Sequence, residues 1–256
     1  MLRIESKQNP RIRAWRKLQT AKNRRKQGRY LVEGDHLLEE ALNHQALIET
    51  VLYGEDYTGP LLNQALDRKV ETIQVSRDIF KELAMTETPQ GIMAVIKMDP
   101  LSTTDLKGQR YLICDAIQDP GNLGTMIRTA DAAGWDGILL APGCVDLYND
   151  KVLRASQGSI WHLPIVMASN QEIYDALKSQ DLPIYVTALH QEANSYRATT
   201  QPPGGLVLGN EGQGVGSFWL EKADQTLYIP MSGQAESLNV AIAAGVLLFH
   251  WSKLSE

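Results

Sequence analysis

The chain has 256 residues, 43% of them hydrophobic and 21% charged, which is enough apolar material for one large or two ordinary domains. This composition excludes a mainly disordered, collagen-like or disulfide-scaffold protein, and Cys114 and Cys144 show neither metal nor redox spacing. The net charge of −5 hides an asymmetry: residues 1–30 hold eleven Lys/Arg against Glu5 alone, which leaves 14 basic and 29 acidic groups, a net of −15, on the rest.

In chain order, Pro10 to about Gln27 reads as a polar, basic helix, followed by the short strand Tyr30-Leu-Val-Glu-Gly34. An amphipathic helix starts near Asp35, with Leu37, Leu38, Ala41 and Leu42 at helical spacing. Strands near 48–53, 72–75 and 91–96 alternate with helices near 61–68 and 78–85, so residues 1–98 form a compact βα module. Pro100, Gly108 and the polar residues between them mark 99–108 as a linker.

Residues 109–256 make the second domain. Strands are expected at 111–114, 137–140, 164–167, 184–188, 206–208 and 227–229, and helices near 123–133, 151–156, 171–179 and 238–251. Strands alternating with helices predict an α/β fold with a mostly parallel sheet covered on both faces. No apolar run of about 18 residues occurs and no signal-peptide pattern follows Met1, so a cytoplasmic protein with no membrane contact is expected.

In such a sheet, ligands bind beyond the carboxyl ends of the strands, and three loops there carry unusual residues. The first is Asp119-Pro-Gly-Asn-Leu-Gly-Thr-Met-Ile-Arg128, in which Asn122 can cap the following helix. Its simpler reading is a capped helix with a surface ion pair between Arg128 and Asp131. The second, Leu208-Gly-Asn-Glu-Gly-Gln-Gly-Val-Gly216, has four glycines that let the backbone approach a ligand, but it is neither a Walker loop nor G-x-G-x-x-G. Glu211 in it would repel phosphate and suit a cationic or hydroxyl-bearing ligand. The third is Ile229-Pro-Met-Ser-Gly-Gln-Ala-Glu-Ser-Leu-Asn-Val240, leading into an apolar run to Phe249. Its simpler reading makes Ser237 the N-cap and Asn239 a first-turn filler. The last helix is apolar nearly all round, which points to burial within the chain or between subunits. There is no G-x-S-x-G elbow, no H-E-x-x-H and no cysteine-zinc spacing, so hydrolase and metalloenzyme readings are poor.

The three loops, in this order and spacing over about residues 110–251, resemble the SpoU (TrmH-like) branch of the SPOUT RNA methyltransferases. The N-terminal module, with its Tyr-Leu-Val-Glu-Gly strand, is similar to the ribosomal-protein-L30e-like substrate domain that many members carry. The resemblance implies an α/β/α N-terminal domain and a SPOUT domain with a deep C-terminal trefoil knot between about Gly204 and Gly245, an exception to the usual absence of knots.

It further implies transfer of a methyl group from S-adenosylmethionine to a ribose 2′-hydroxyl of RNA, with no metal. Gly209, Ile229 and Leu238 would contact the cofactor, with Thr187, Leu208 and Met231 as neighbours. Arg128 takes the central catalytic role, as base or as a stabiliser of developing alkoxide. Asn122, Glu211, Ser237 and Asn239 complete the site, with Glu211 pairing with Arg128 or bonding the substrate ribose.

The resemblance also implies a homodimer in which Arg128 reaches the other subunit's cofactor. The basic arm then grips RNA, ribosomal RNA first and transfer RNA second. Arg11, Arg13, Arg16, Lys17, Arg24 and Arg25 would meet the backbone, with Trp15 and Tyr30 available for stacking. Two rivals are a non-catalytic RNA-binding protein of the same fold and a dinucleotide-dependent oxidoreductase. The second lacks the glycine fingerprint and the acidic residue that follows it.

Overall fold

The computed structural model describes residues 2–188, 193–199 and 204–252. The chain divides into two compact units, residues 1–99 with 148–161 and residues 100–147 with 162–256.

The first unit contains β1 (Leu2–Ile4), α1 (Pro10–Lys17), α2 (Ala21–Gln27), β2 (Arg29–Glu33), α3 (Asp35–Asn43), β3 (Ile48–Gly54), α4 (Leu61–Asp67), β4 (Glu71–Val75), α5 (Arg77–Leu83) and β5 (Ile92–Lys97). The strands form one sheet in the order β1-β4-β3-β5-β2, with β1, β4 and β3 parallel and β5 antiparallel to both β3 and β2. Alternate residues of each strand serve opposite faces. Leu31, Leu52, Ile73, Met93 and Val95 share one core with Ile12 and Trp15 of α1 and with Ile79, Phe80 and Leu83 of α5. Leu37, Leu38, Ala41 and Leu42 of α3 and Leu61 and Ala65 of α4 are buried on the other side.

The single basic helix expected over 10–27 is two helices. Asn9 caps the first, its Oδ1 accepting from Arg11 N at 2.9 Å, with Pro10 in the first helical position. After Leu18 the chain turns, because the Arg24 side chain, only 5% exposed, donates to the Leu18 carbonyl at 2.9 Å and takes an acceptor that a continuous helix would use. Gly28, at φ +61°, ends α2. Strand β1 was not expected; three residues suffice because β4 supplies a ready parallel edge.

The second unit contains β6 (Arg110–Cys114), α6 (Pro120–Ala132) and β7 (Gly137–Leu140). After them the chain runs through α7 (Asp150–Ser156), then β8 (Ile165–Met167), α8 (Asn170–Lys178), β9 (Ile184–Thr187), β10 (Asn194–Ser195), β11 (Gly204–Leu208), α9 (Ser217–Lys222), β12 (Gln225–Tyr228) and α10 (Val240–His250). Its seven-stranded sheet has the order β10-β12-β9-β11-β6-β7-β8, and every pair is parallel. Tyr111, Ile113, Val186, Val207 and Trp219 belong to the core of one face, and Leu101 and Leu106 from the polar stretch before β6 pack into it. Helices α6 and α10 lie against each other, with Leu123, Met126, Ile127, Ala244, Leu247 and Leu248 buried. Because Leu208 pairs with Cys114 and Leu227 with Thr187, the loops after β6, β11 and β12 leave the same edge of the sheet.

Residues 148–161, which include α7, belong to the first unit. The Tyr148 ring lies 4.4 Å from that of Tyr30, and Trp161 Nε1 donates to the Tyr30 hydroxyl at 3.1 Å. Burial pushes the Tyr30 phenol far above its ordinary pKa, so it stays protonated.

Candidate active site

The first loop begins with Ala116 in the left-handed region at φ +55°. Asp119 then caps α6, its Oδ1 accepting from Asn122 N at 2.8 Å, with Pro120 in the first turn. The expected cap was Asn122. With the backbone served by Asp119, the Asn122 amide is left to bridge the other two loops. Its Nδ2 donates to Glu211 Oε1 at 3.1 Å, and its Oδ1 accepts from Asn239 Nδ2 at 3.0 Å.

The second loop is held to the first at three levels. Gly216 N donates to Asp115 Oδ2 at 2.7 Å, Asn210 Nδ2 donates to the Ala116 carbonyl at 2.9 Å, and Glu211 accepts from Gln118 N at 3.2 Å and Asp119 N at 3.0 Å. Asn210 Oδ1 also accepts from Gly212 N and Gln213 N, which closes the loop on itself. Glycine is required at 209, since a Cβ there would overlap the backbone of Gly214 and Val215. Partial burial pushes the Glu211 carboxyl up. The donors from Asp119, Asn122 and Gln118 outweigh it and hold the group below the usual carboxylate range.

In the third loop Asn239, not Ser237, caps the last helix, its Oδ1 accepting from Ala241 N at 2.9 Å and Ile242 N at 3.3 Å. The polar chain therefore has one direction, from the Asn239 amide through Asn122 to Glu211. Ser237 is exposed and makes no hydrogen bond among the described residues.

Arg128 is exposed on α6, about 9 Å along the axis from Asn122. Among the described residues it makes no hydrogen bond or ion pair, so neither expected partner is in place. Asp131 instead meets His162 Nδ1 at 2.7 Å, and Glu211 is occupied by the first loop. A guanidinium in that condition is available to an incoming anion.

The residues expected around the cofactor differ in access. Leu208 and Gly209 are buried, Thr187 is half-buried and donates to the Val207 carbonyl at 3.1 Å, and Ile229 and Met231 are half-buried. Leu238 is 39% exposed. Among the described residues, 230–238 make no backbone–backbone hydrogen bond to the rest of the chain. A loop with free peptide groups beside apolar side chains fits a ligand with an aromatic ring and a polar tail, so these residues fit S-adenosylmethionine.

The basic arm is less uniform than its sequence. Arg13, Lys17 and Arg25 are exposed and make no ion pair among the described residues. Arg11 is committed to Glu71 and Thr50, Arg16 to Glu82, and Arg24 to the interior. Trp15 and Tyr30 are buried, so neither is available for stacking. Asp119 and Asn210 also hold the site together and are not among the site residues expected from the sequence. Asp followed by Pro at a helix start was the usable signal for the first, and nothing local marked the second.

Residues 109–249 match the SpoU rRNA Methylase family, and residues 9–94 match the MRM3-like substrate binding domain. The chain belongs to the SpoU family and is an S-adenosylmethionine-dependent RNA ribose 2′-O-methyltransferase. It is 42% identical over 252 residues to the 23S rRNA (guanosine(2553)-2′-O)-methyltransferase RlmP of Bacillus subtilis, covering 98% of this chain and 99% of that one. Identity to the human mitochondrial rRNA methyltransferase 3 is 31% over 285 residues, covering 88% of this chain and 68% of that protein. Among solved structures, the AdoMet-bound rRNA methyltransferase from Sinorhizobium meliloti superposes with a TM-score of 0.87 at 28% identity, covering 97% and 96% of the two chains. The SpoU methyltransferase AviRb from Streptomyces viridochromogenes, in complex with AdoMet, gives 0.84 at 28% identity, covering 94% and 97%.

Proposed function

We propose that this chain methylates a ribose of ribosomal RNA, and of the large-subunit 23S RNA in particular, with Arg128 at the reacting oxygen. The observation that carries the reading is an exposed, unpaired arginine on a helix whose first turn is fixed by the Glu211–Asn122–Asn239 chain. The RNA assignment draws on relatives named for 23S rRNA.

Bound S-adenosylmethionine supplies an electrophilic methyl group on a sulfonium. The chain's own residues position and polarise the acceptor. The exposed guanidinium of Arg128 stabilises negative charge developing on the 2′-oxygen or holds the adjoining phosphate. Glu211, Asn122 and Asn239 fix the origin of α6 and hence the reach of Arg128, and Ser237 offers a hydroxyl beside them. Gly209, Ile229 and Leu238, with Leu208 and Met231, form the cofactor's surroundings in the stretch from Gly204 to Gly245 that this reading assigns to the knot, and Thr187 at the end of β9 stands beside them.

The working unit in this reading is a homodimer. Ile242 (58% exposed), Val246 and Phe249 (49% exposed) follow the i, i+4, i+7 spacing of one helix face, an apolar stripe suited to a second copy. Arg13, Lys17 and Arg25 supply the contacts to the RNA backbone.

The test uses tritiated S-adenosylmethionine and total RNA from cells lacking the gene. Label is expected at a 2′-oxygen of 23S rRNA; label on a base, or on transfer RNA alone, would overturn the assignment. Arg128→Ala should lower methyl transfer by at least ~10²-fold, the scale of losing one stabilising donor, while cofactor affinity stays within a few-fold. Equal loss of both would refute the catalytic role.

A further inference from the structure

A cleft of about 370 Å³ opens in the first unit where α1 crosses the ends of β2, β3 and β4. That size lies within the roughly 300–1,000 Å³ range of small-ligand sites. Two planar ion pairs line it. Arg11 binds Glu71 through both terminal nitrogens and reaches Thr50 at 3.1 Å, and Arg29 binds Glu49 through Nε and Nη2. The Arg11 guanidinium also lies 4.8 Å from the Trp15 ring centre, which fixes its plane further. Ala14 and Gln27 complete the lining, with Gln27 Nε2 donating to the Ala14 carbonyl at 3.2 Å.

The chemistry of this lining is selective. Glu71 neutralises Arg11, and Glu49 is shared by Arg29 and by Lys97 at 3.3 Å, so both guanidiniums are committed to carboxylates and are not free to clasp a phosphate. Guanidiniums held flat by bidentate carboxylates offer planar faces on which a nucleobase stacks. The spare lone pairs of Glu49 and Glu71 and the side-chain carbonyl of Gln27 can accept from a base's amino or imino hydrogens. The two helices that contribute Arg11, Ala14 and Gln27 to the cleft also carry Arg13, Lys17, Lys22, Arg25 and Lys26, all exposed and without an ion pair among the described residues.

The geometry points to this cleft as a receptor for one unpaired RNA base, displaced from a strand whose phosphates lie on the exposed cations of α1 and α2. It rests on the reading of the arm as an RNA contact, and it assigns Arg11 and Arg29 to the base and not to the backbone.

The experiment measures binding of the full-length protein to short single-stranded homopolymers of A, C, G or U and to an abasic ribose-phosphate strand of equal length. At least one homopolymer should bind ~5-fold or more tightly than the abasic strand, the low end of what stacking one base contributes. Ala14→Leu, which fills the cleft without changing charge, should abolish that difference and leave abasic affinity and its salt dependence unchanged. Gln27→Met should reduce the difference. If Ala14→Leu lowers the melting temperature, Gln27→Met decides, and undiminished discrimination in it overturns the proposal. A wild-type protein that binds all strands alike overturns it too. The double variant Arg13→Ala, Lys17→Ala separates the two readings. A flattened salt dependence without base discrimination refutes the cleft alone, and an unchanged salt dependence refutes the arm and the cleft with it.

Discussion

In the C-terminal unit one carboxylate, Glu211, is surrounded by N–H donors; in the N-terminal unit Glu49, Glu71 and Glu82 are each bound by a guanidinium, with a lysine added at Glu49 and Glu82. The first arrangement builds a site, because neutral donors order three loops and leave Arg128, on the helix they anchor, unspent. The second fastens a helix pair to a sheet and consumes cations that a charge count would assign to a ligand. A cluster of charges is thus informative about partners only after its internal neutralisation has been subtracted, whereas a directed hydrogen-bond chain between loops is informative as it stands.

The comparison is tested most severely by Glu211→Ala. Three donors lose their acceptor, and turnover should fall ~10²-fold, comparable to losing a positioned catalytic donor, with little change in melting temperature because water can reach the exposed groups. A large stability loss with turnover retained would make Glu211 a fastener like Glu71.

Arg24 supplies the opposite case. Arg24→Met should cost about 1–3 kcal/mol of stability through the orphaned Leu18 carbonyl, read by denaturant unfolding, and RNA affinity of the folded protein should hardly move. A selective loss of RNA binding would return Arg24 to the contact surface.

Asn239 divides two functions within one side chain. Asn239→Ala should lose about 1 kcal/mol of helix capping. Asn239→Ser should restore that stability and still lose activity, since it cannot donate to Asn122. Full activity in the serine variant would show that the link to Asn122 is dispensable.

The smallest effects belong to single exposed cations. Arg13→Ala and Lys17→Ala should each leave stability unchanged and reduce the salt slope of single-strand binding by about 0.7. A stability loss in either would mean that it, too, is internally committed.

How far the sequence carried these conclusions depended on the range of the forces involved. The parallel sheet was legible because its strands alternate with helices over the whole second half, and the three loops because their residues follow strand ends. Helix starts were less legible. Ser237 and Asn239 are both competent caps, and the choice falls on Asn239, whose remaining amide is anchored by Asn122, 117 residues away in sequence. Asn122 was displaced as a cap by Asp119 for a similar reason: its side chain already serves Glu211. The break between α1 and α2 came from a buried arginine whose burial no local pattern announces. The apolar last helix points to burial within the chain or between subunits, and in the single chain Ile242 and Phe249 are open.

The membership of residues 148–161 in the first unit bears on how this enzyme can be recombined. A graft that transplants residues 1–99 as a self-sufficient recognition cassette would strip Tyr30 of both the Tyr148 ring and the Trp161 indole. Such a chimera begins life with an uncovered phenol at the heart of its donor part. The exchangeable module in this architecture is discontinuous, and any shuffling of target specificity has to carry the α7 segment along with the amino-terminal residues.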